Sequence, residues 1–199
     1  MSEASGHTRR ALIIAVCVLL ACTMKTTATE GSTTVLAFGG NGFIGSEVVS
    51  KMIERNYKIF LVSRGNWYFD SEERIKPHVI PVVCDREKGI QSCEELMRII
   101  NETKHFDYVL DFSGYTPQVV AKAVTILGTK VGVYLYISTD SIYEVCKPSE
   151  ITGSTVEDDA VRPTDEHERA RLNEIDTYGD EKLAGEEVSS HKLRALAGF

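Results

Sequence analysis

From Thr33 onward, short apolar runs alternate with segments whose apolar residues recur at helical spacing. This alternation is typical of repeated strand–helix–strand units, which form a parallel sheet covered by helices on both faces. The pattern therefore predicts a doubly wound α/β domain. Its five expected strands span residues 34–38, 58–62, 79–83, 108–112 and 133–137.

Local signals indicate where these elements end and how the strands are ordered. Asn56 is the expected C-terminal cap of the first helix, whose apolar residues have a period of about 3.6. The helix after the fourth strand is expected to begin with Thr116 as cap and Pro117 in the first position, and to stop at Gly128. Pro81 lies in the third strand and cannot donate to a sheet ladder. An edge position, as in strand order 3-2-1-4-5, accommodates it.

The first thirty residues differ from the rest of the chain. Arg9 and Arg10 precede an apolar run at 11–22, which is followed by Lys25 and a Thr-rich stretch. A basic start, an apolar core of this length and a small-residue exit are features of a secretory signal. The run is short for a membrane-spanning helix, which needs about twenty apolar residues. We expect residues 1–30 to be a leader (a cleaved signal, a short membrane anchor or another presequence), which favours the secretory pathway or a membrane-associated location.

Composition and charge narrow the classes of function for residues 31–199, the expected folded domain. With 43% hydrophobic and 26% charged residues the chain is able to bury an ordinary core. Its net charge of −7 argues against a nucleic-acid partner, which requires a basic face. The cysteines form no C-x-x-C pair and no cluster with metal-ligand spacing, so no metal site is expected. Outside the leader, Cys84, Cys93 and Cys146 are expected to be free thiols rather than to form a disulfide.

A glycine-rich segment, 39–45, follows the first predicted strand and opens onto the first helix. Its sequence, Gly-Gly-Asn-Gly-Phe-Ile-Gly, satisfies both the G-x-G-x-x-G and the G-x-x-G-x-x-G spacing. Between a strand and a helix, such glycines make a tight turn, let backbone N–H groups approach a pyrophosphate and let the helix pack closely. The helix N-terminus adds unpaired donors and a positive dipole end. The segment therefore predicts dinucleotide binding by a Rossmann-like sheet.

A second set of residues has the chemistry of proton transfer. Tyr178 and Lys182 are spaced to share one face of a helix. A lysine ammonium beside a phenol favours the phenolate and makes the tyrosine a better proton carrier near neutral pH. Thr139 follows the fifth predicted strand, at the edge where open α/β sheets place their ligands. Its hydroxyl is suited to hydrogen-bond a substrate oxygen next to the tyrosine.

Together these motifs resemble the extended short-chain dehydrogenase/reductases, the NAD-dependent epimerase/dehydratase family, over about residues 33–188. The resemblance implies reversible hydride transfer at a sugar or nucleotide-sugar hydroxyl. In it Tyr178 is the acid/base, Thr139 orients the oxygen, and Lys182 holds the ribose and tunes the tyrosine. The cofactor residues that it implies are Gly39, Gly42, Phe43, Ile44, Gly45, Asp85 (at the adenine), Phe112, Ser113, Gly114 and Lys182.

The end of the second predicted strand favours NADP over NAD as the cofactor. NAD binders place an Asp or Glu there to accept hydrogen bonds from the ribose hydroxyls. This chain has Ser63 followed by Arg64. A guanidinium pairs well with a 2′-phosphate, and no carboxylate stands at that position to repel it.

The chain also departs from the family. Phe38 replaces the usual threonine before the first glycine, and Ser141 replaces the acid of the dehydratase motif, which disfavours dehydration. The segment 112–115 is closer to a subgroup that includes chloroplast stem-loop RNA-binding proteins, although the acidic balance disfavours RNA.

The chain stops at Phe199, where family members continue into a substrate-binding lobe. Two interpretations remain: an NAD(P)-dependent oxidoreductase or epimerase, or a dinucleotide-binding module without turnover that acts as a sensor or interaction partner. Without the lobe, the outer edge of the fifth strand is expected to be uncovered, which favours a homo-oligomer.

Overall fold

The computed structural model describes residues 32–147 and 156–197. Its strands are β1 (Thr34–Phe38), β2 (Lys58–Ser63), β3 (Ile80–Val83), β4 (Phe106–Asp111) and β5 (Val131–Tyr136). Its helices are α1 (Phe43–Ile53), α2 (Ser71–Arg74), α3 (Glu94–Glu102), α4 (Pro117–Leu127), α5 (Glu166–Ile175) and α6 (Thr177–Ala197). All strand pairs are parallel and the order is β3-β2-β1-β4-β5, so the predicted fold class and strand order are confirmed.

Strand β1 lies at the centre of the sheet because it is apolar on both faces. Alternate residues of the strand enter two separate cores. Leu36 and Phe38 pack in one core with residues of α3 and α4, while Val35 and Ala37 pack in the other with Val49 of α1. The carboxyl end of this strand, and the turn that follows it, are therefore held from both sides.

The local signals for the ends of α4 and for the edge position of Pro81 are borne out, whereas the one for the end of α1 is not. The Thr116 hydroxyl accepts a hydrogen bond from the Val119 N–H at the start of α4, Pro117 occupies the first turn, and the helix ends at Gly128. The cap expected at Asn56 is instead Glu54, since helix α1 ends at Ile53. Asn56 lies two residues further on, in the left-handed conformation with φ of 58°. Pro81 lies in β3, which is an edge strand as predicted.

The expectation of free thiols is wrong for two of the three cysteines. Cys84 and Cys93 form a disulfide, with their Cα atoms 5.4 Å apart, while Cys146 is free and buried. Between β3 and α3 the chain turns back on itself through two short 3₁₀ turns, Arg86–Lys88 and Ile90–Ser92. These turns bring Cys93 back to Cys84, a proximity that sequence spacing alone did not reveal.

The leader expected at residues 1–30 lies outside the described residues. Across 32–147 and 156–197, no helix is long and apolar enough to cross a membrane.

Candidate functional site

The turn after β1 has a shape that only glycine permits at two of its positions. Gly39 has a φ of 76°, and a Cβ there would lie 2.9 Å from the Cβ of Ser113. A Cβ on Gly45 would lie 2.8 Å from the carbonyl oxygen of Gly39 and from the Cα of Gly40. The first turn of α1 therefore packs directly against the backbone of the preceding turn.

At Gly42, neither the backbone conformation nor the packing requires a glycine. Its φ of −83° suits any residue, and a Cβ there would meet only the Gly39 carbonyl oxygen, at an ordinary 3.6 Å. Gly42 is the N-cap residue of α1, and no side chain caps that helix. No acidic residue lies in its first turn. The first N–H groups of α1 thus keep their capacity to bind an anion.

A cavity of about 430 Å³ opens beside this turn, at the carboxyl edge of the sheet. Its volume is within the range of small-molecule sites. Nine of the eleven predicted cofactor residues line it: Gly39, Gly42, Phe43, Ile44, Gly45, Arg64, Asp85, Phe112 and Ser113. The other two, Gly114 and Lys182, are not part of its lining.

The segment after β2 forms one wall of the cavity. Arg64, Asn66 and Tyr68 line it, and the Asn41 side-chain amide donates to the Asn66 carbonyl, which ties this wall to the glycine turn. Arg64 is exposed, and among the described residues no ion pair involving its guanidinium is found. This wall can therefore present a positive charge to a ligand.

A buried ion pair lies beside the cavity. The Arg86 guanidinium donates to both carboxylate oxygens of Asp111, at 3.0 and 2.7 Å, and its Cζ lies 4.3 Å from the centre of the Phe38 ring. Asp111 is fully buried and also accepts from the Tyr134 hydroxyl at 2.7 Å and from the Ser113 N–H at 3.2 Å. Burial and this carboxylate raise the pKa of the Tyr134 phenol.

Sequence reasoning missed this network, although two signals pointed to it. Asp111 is a carboxylate that follows the apolar run 108–110 at the end of β4, and a buried charge requires a partner. Phe38, which departs from the family pattern, is the aromatic surface on which the guanidinium of Arg86 lies. Asn41, Asn66 and Tyr68 were also missed as cavity residues.

The predicted catalytic residues lie together on a different part of the same edge. Tyr178 and Lys182 both lie on α6, and Thr139 follows β5. The Thr139 hydroxyl accepts from the Ser141 N–H at 3.3 Å and so caps the short 3₁₀ turn Asp140–Val145. A Cβ on Gly179 would overlap the carbonyl oxygen of Ser141. This glycine therefore lets the Tyr178 helix approach the Thr139 segment.

Lys182 is buried although Tyr178 is accessible. Lys182 is only 2% exposed, whereas Tyr178 is 46% exposed. The Lys182 ammonium donates to the carbonyl oxygens of Ile137 at 2.5 Å and Gly114 at 3.1 Å, and it lies 4.2 Å from the centre of the Tyr136 ring. Desolvation by burial lowers the pKa of this ammonium. Within the described residues no hydrogen bond joins Lys182 to Tyr178.

In the described part of the chain, no group of three or more His, Cys, Asp or Glu side chains is arranged to hold a metal ion.

A scan of protein-family models and a search of curated proteins find no match, whereas solved structures match over most of the chain. The epimerase Mth375 from Methanothermobacter thermautotrophicus has a TM-score of 0.60 at 16% identity, covering 84% of this chain and 49% of that one. A UDP-galactose 4-epimerase has a TM-score of 0.55 at 21% identity, covering 82% and 52%. The fold is that of these epimerases.

A third solved structure adds bound ligands to the comparison. MoeE5 in complex with UDP-glucose and NAD has a TM-score of 0.54 at 18% identity, covering 80% of this chain and 48% of that one. The predicted resemblance to short-chain dehydrogenase/reductases and epimerases is thus confirmed at the level of the fold. This chain spans about half the length of the solved structures that it matches.

Proposed function

We propose that this chain binds a nicotinamide dinucleotide in the cavity at the carboxyl edge of the sheet, as the cofactor-binding part of an oxidoreductase or epimerase that acts on a nucleotide sugar. The observation that carries the proposal is the glycine turn with the uncapped N-terminus of α1 beside the cavity. The ligands named for MoeE5, UDP-glucose and NAD, support the class of cofactor and substrate.

Gly42 supplies the sharpest argument for a ligand that approaches the backbone. Neither its backbone conformation nor its packing requires a glycine, yet it lines the cavity at the cap position of α1. A side chain there would occupy the space in front of the free N–H groups. These groups are suited to bind the pyrophosphate.

The remaining cavity residues suit the other parts of a dinucleotide. Asp85 is suited to contact the adenine, and Arg64 to pair with a 2′-phosphate. Tyr115 and Ile137 also line the cavity, and the Ile137 carbonyl accepts a hydrogen bond from Lys182. This part of the cavity suits the nicotinamide end of the dinucleotide. When bound, the nicotinamide accepts or supplies the hydride; the protein positions the substrate oxygen and moves its proton.

Three residues would carry that proton chemistry. The accessible phenol of Tyr178 would move the hydroxyl proton of the sugar, and the Thr139 hydroxyl would orient the same oxygen. Lys182 would hold the segments that follow β4 and β5 in place, because its ammonium binds the Gly114 and Ile137 carbonyls. Its charge would also favour the phenolate form of Tyr178, which lies on the same helix.

A second candidate is dinucleotide binding without turnover, as a sensor or interaction module. Its support is that Thr139, Tyr178 and Lys182 are not part of the cavity lining.

Titration calorimetry with NADP and NAD tests dinucleotide binding. Gly42→Val should weaken binding at least tenfold while leaving the thermal unfolding temperature close to that of the wild type. Lys51→Val, on the exposed side of α1, is the control and should bind normally. If the wild type binds neither dinucleotide, or Gly42→Val binds as well as wild type, the proposed site is wrong.

The preference for NADP has its own test. Arg64→Ala should weaken NADP binding by about tenfold or more, the loss of one charge-assisted pair, and leave NAD binding nearly unchanged. Arg55→Ala, an exposed arginine after α1 that does not line the cavity, is the matched control. Tighter binding of NAD than of NADP by the wild type would refute this preference.

Turnover on a panel of nucleotide sugars distinguishes the two candidates. If a sugar is converted, Tyr178→Phe should reduce the rate by about 10²–10⁴-fold with unchanged cofactor affinity. Tyr57→Phe is the control and should retain the rate. Tyr57 stacks on Tyr108 and packs on the core that contains Val35 and Ala37. Cofactor binding with no conversion of any sugar would favour the second candidate.

A further inference from the structure

The loop between β3 and α3 is both a wall of the cavity and a covalent ring. Its first residues, Cys84, Asp85, Arg86 and Glu87, line the cavity. The Cys84–Cys93 disulfide closes the loop at its two ends. The disulfide therefore holds in place the part of the cavity wall that contains Asp85.

The two ends of this ring are attached to different elements. The Cys84 N–H donates to the Ser63 carbonyl of β2 at 2.8 Å, so this end follows the sheet. Cys93 is the N-cap residue of α3, whose Leu96 is fully buried in the core. The disulfide thus ties the sheet edge to the start of α3, and the loop between them has less freedom than an open chain.

Two non-covalent contacts also hold the loop, which limits what the disulfide contributes. Arg86 is paired with Asp111, and Ile90 is buried in the core. Among the described residues, Asp85 has one ion pair, with the nearby Lys88 at 3.4 Å, and Glu87 is exposed. The conformations of Asp85 and Glu87 are therefore the ones that most depend on the covalent closure.

The disulfide is accessible from one side. Cys93 is partly exposed, whereas Cys84 is 4% exposed. A dithiol reductant can attack the Cys93 sulfur, which breaks the S–S bond and releases Cys84 as a thiolate that takes up a proton. The second thiol of the reductant then displaces Cys93, so that the reductant becomes a disulfide and the protein gains two electrons and two protons.

We propose that the Cys84–Cys93 disulfide positions the Asp85 side of the cavity and that its redox state sets the affinity for the dinucleotide. The disulfide form binds more tightly, because the dithiol form holds the binding conformation for only part of the time. Since Arg86 and Ile90 remain attached, the expected weakening on reduction is about five- to tenfold rather than complete. This inference rests on the proposed dinucleotide binding.

The test compares NADP affinity before and after reduction of the folded protein with a dithiol. Mass spectrometry after thiol alkylation confirms that Cys84 and Cys93 have been reduced. Affinity should fall about five- to tenfold, and amides of residues 85–92 should exchange faster with deuterated water. Reoxidation should restore both values.

Variants separate a redox effect from a general loss of structure. Cys84→Ala/Cys93→Ala should show the weaker affinity at once and should not respond to the reductant. Cys146→Ala, which removes the free buried cysteine, should respond like the wild type. Equal affinity of the disulfide and dithiol forms overturns this inference and leaves the proposed function intact. Failure of both forms to bind overturns the proposed function, and the inference with it.

Discussion

The glycine-turn region and the Tyr178 region lie on the same edge of the sheet but are held in different ways. The glycine turn follows β1, the central strand, whose residues from Val35 to Phe38 are fully buried. The Tyr178 helix meets the sheet at Tyr136, the last residue of β5. Strand β5 is an edge strand, on which Val133 and Leu135 are 45% and 47% exposed. The first region is shaped by close packing around the central strand. The second combines a small apolar cluster with several polar contacts; the cluster consists of Ile142, Val145, Cys146, Leu172 and Leu183.

These polar contacts are specific and involve charges. Lys182 binds two backbone carbonyls. Arg162 donates to the carboxylates of Asp180 and Glu187, and so ties the segment before α5 to α6. The ion pairs of Arg162 are partly exposed, whereas the Arg86–Asp111 pair beside the glycine turn is buried, and salt screens exposed pairs more than buried ones. The Tyr178 region should therefore be the more adjustable of the two. Under the proposed function, the dinucleotide would bind beside the closely packed turn, and the residues proposed to move the proton would lie in the more adjustable region.

The largest effect should come from breaking the buried charge pair beside the glycine turn. Asp111→Ala leaves the Arg86 guanidinium buried without its partner, which should lower the free energy of unfolding by about 3–5 kcal/mol. Urea denaturation measures the loss.

The double variant Arg86→Met/Asp111→Leu should recover much of this loss, since no unpaired charge remains. Glu95→Ala, which removes an exposed partner of Arg98, should leave the free energy of unfolding nearly unchanged. Similar losses for Asp111→Ala and Glu95→Ala would contradict the assigned role of the buried pair.

A smaller effect should separate the two regions. Gly179→Ala places a methyl group against the Ser141 carbonyl and should lower the free energy of unfolding by about 1–3 kcal/mol. Dinucleotide affinity should remain close to wild type, since Gly179 does not line the cavity. Calorimetry and denaturation on the same samples measure both values. Ser190→Ala, an exposed change on the same helix, is the control. A large loss of dinucleotide affinity in Gly179→Ala would mean that the regions are coupled more tightly than their packing indicates.

The smallest effect concerns pH and the buried ammonium of Lys182. Burial lowers its pKa below the usual value of 10.5, so the unfolded chain binds more protons in the window between the two values. Stability should therefore rise with pH within that window, and Lys182→Met should reduce the slope. Lys122→Met, an exposed lysine on α4, is the control and should retain it.

Measurements should stay below pH 10, because burial raises the pKa of Tyr134 and Tyr136 above their usual value of 10.0. A raised phenol pKa has the opposite sign: its stabilising contribution is lost as pH rises above the usual value. An unchanged slope in Lys182→Met below pH 10 would show that the buried ammonium does not govern this pH dependence.

Features that depend on neighbouring residues were predictable. The apolar run of β1, the Thr116 cap, and the edge position of Pro81 each follow from a few adjacent positions. The glycine spacing likewise predicted the turn, and the structure places most of the expected cofactor residues around one cavity. Strand bounds differed by up to two residues, because the last pairs of a ladder depend on the neighbouring strand.

Features that depend on distant residues were not predictable from spacing. Arg86 and Asp111 are 25 residues apart, and the Lys182 ammonium reaches carbonyls 45 and 68 residues away. Cys84 and Cys93 are closer in sequence, but their pairing depends on how two short turns reverse the chain. For Arg86 and Lys182, the partners come near only after the sheet has assembled.

By itself, then, the sequence determined the order of the strands, the glycine turn and the helical register that places Tyr178 and Lys182 on one helix, since periodicity and turn chemistry are local. Only the tertiary structure decided which side chains share the cavity wall, which charges are buried as a pair, and that Lys182 is turned into the protein while Tyr178 stays accessible. The physical reason is that desolvation and pairing arise from packing between elements, and packing brings together residues that the sequence keeps far apart.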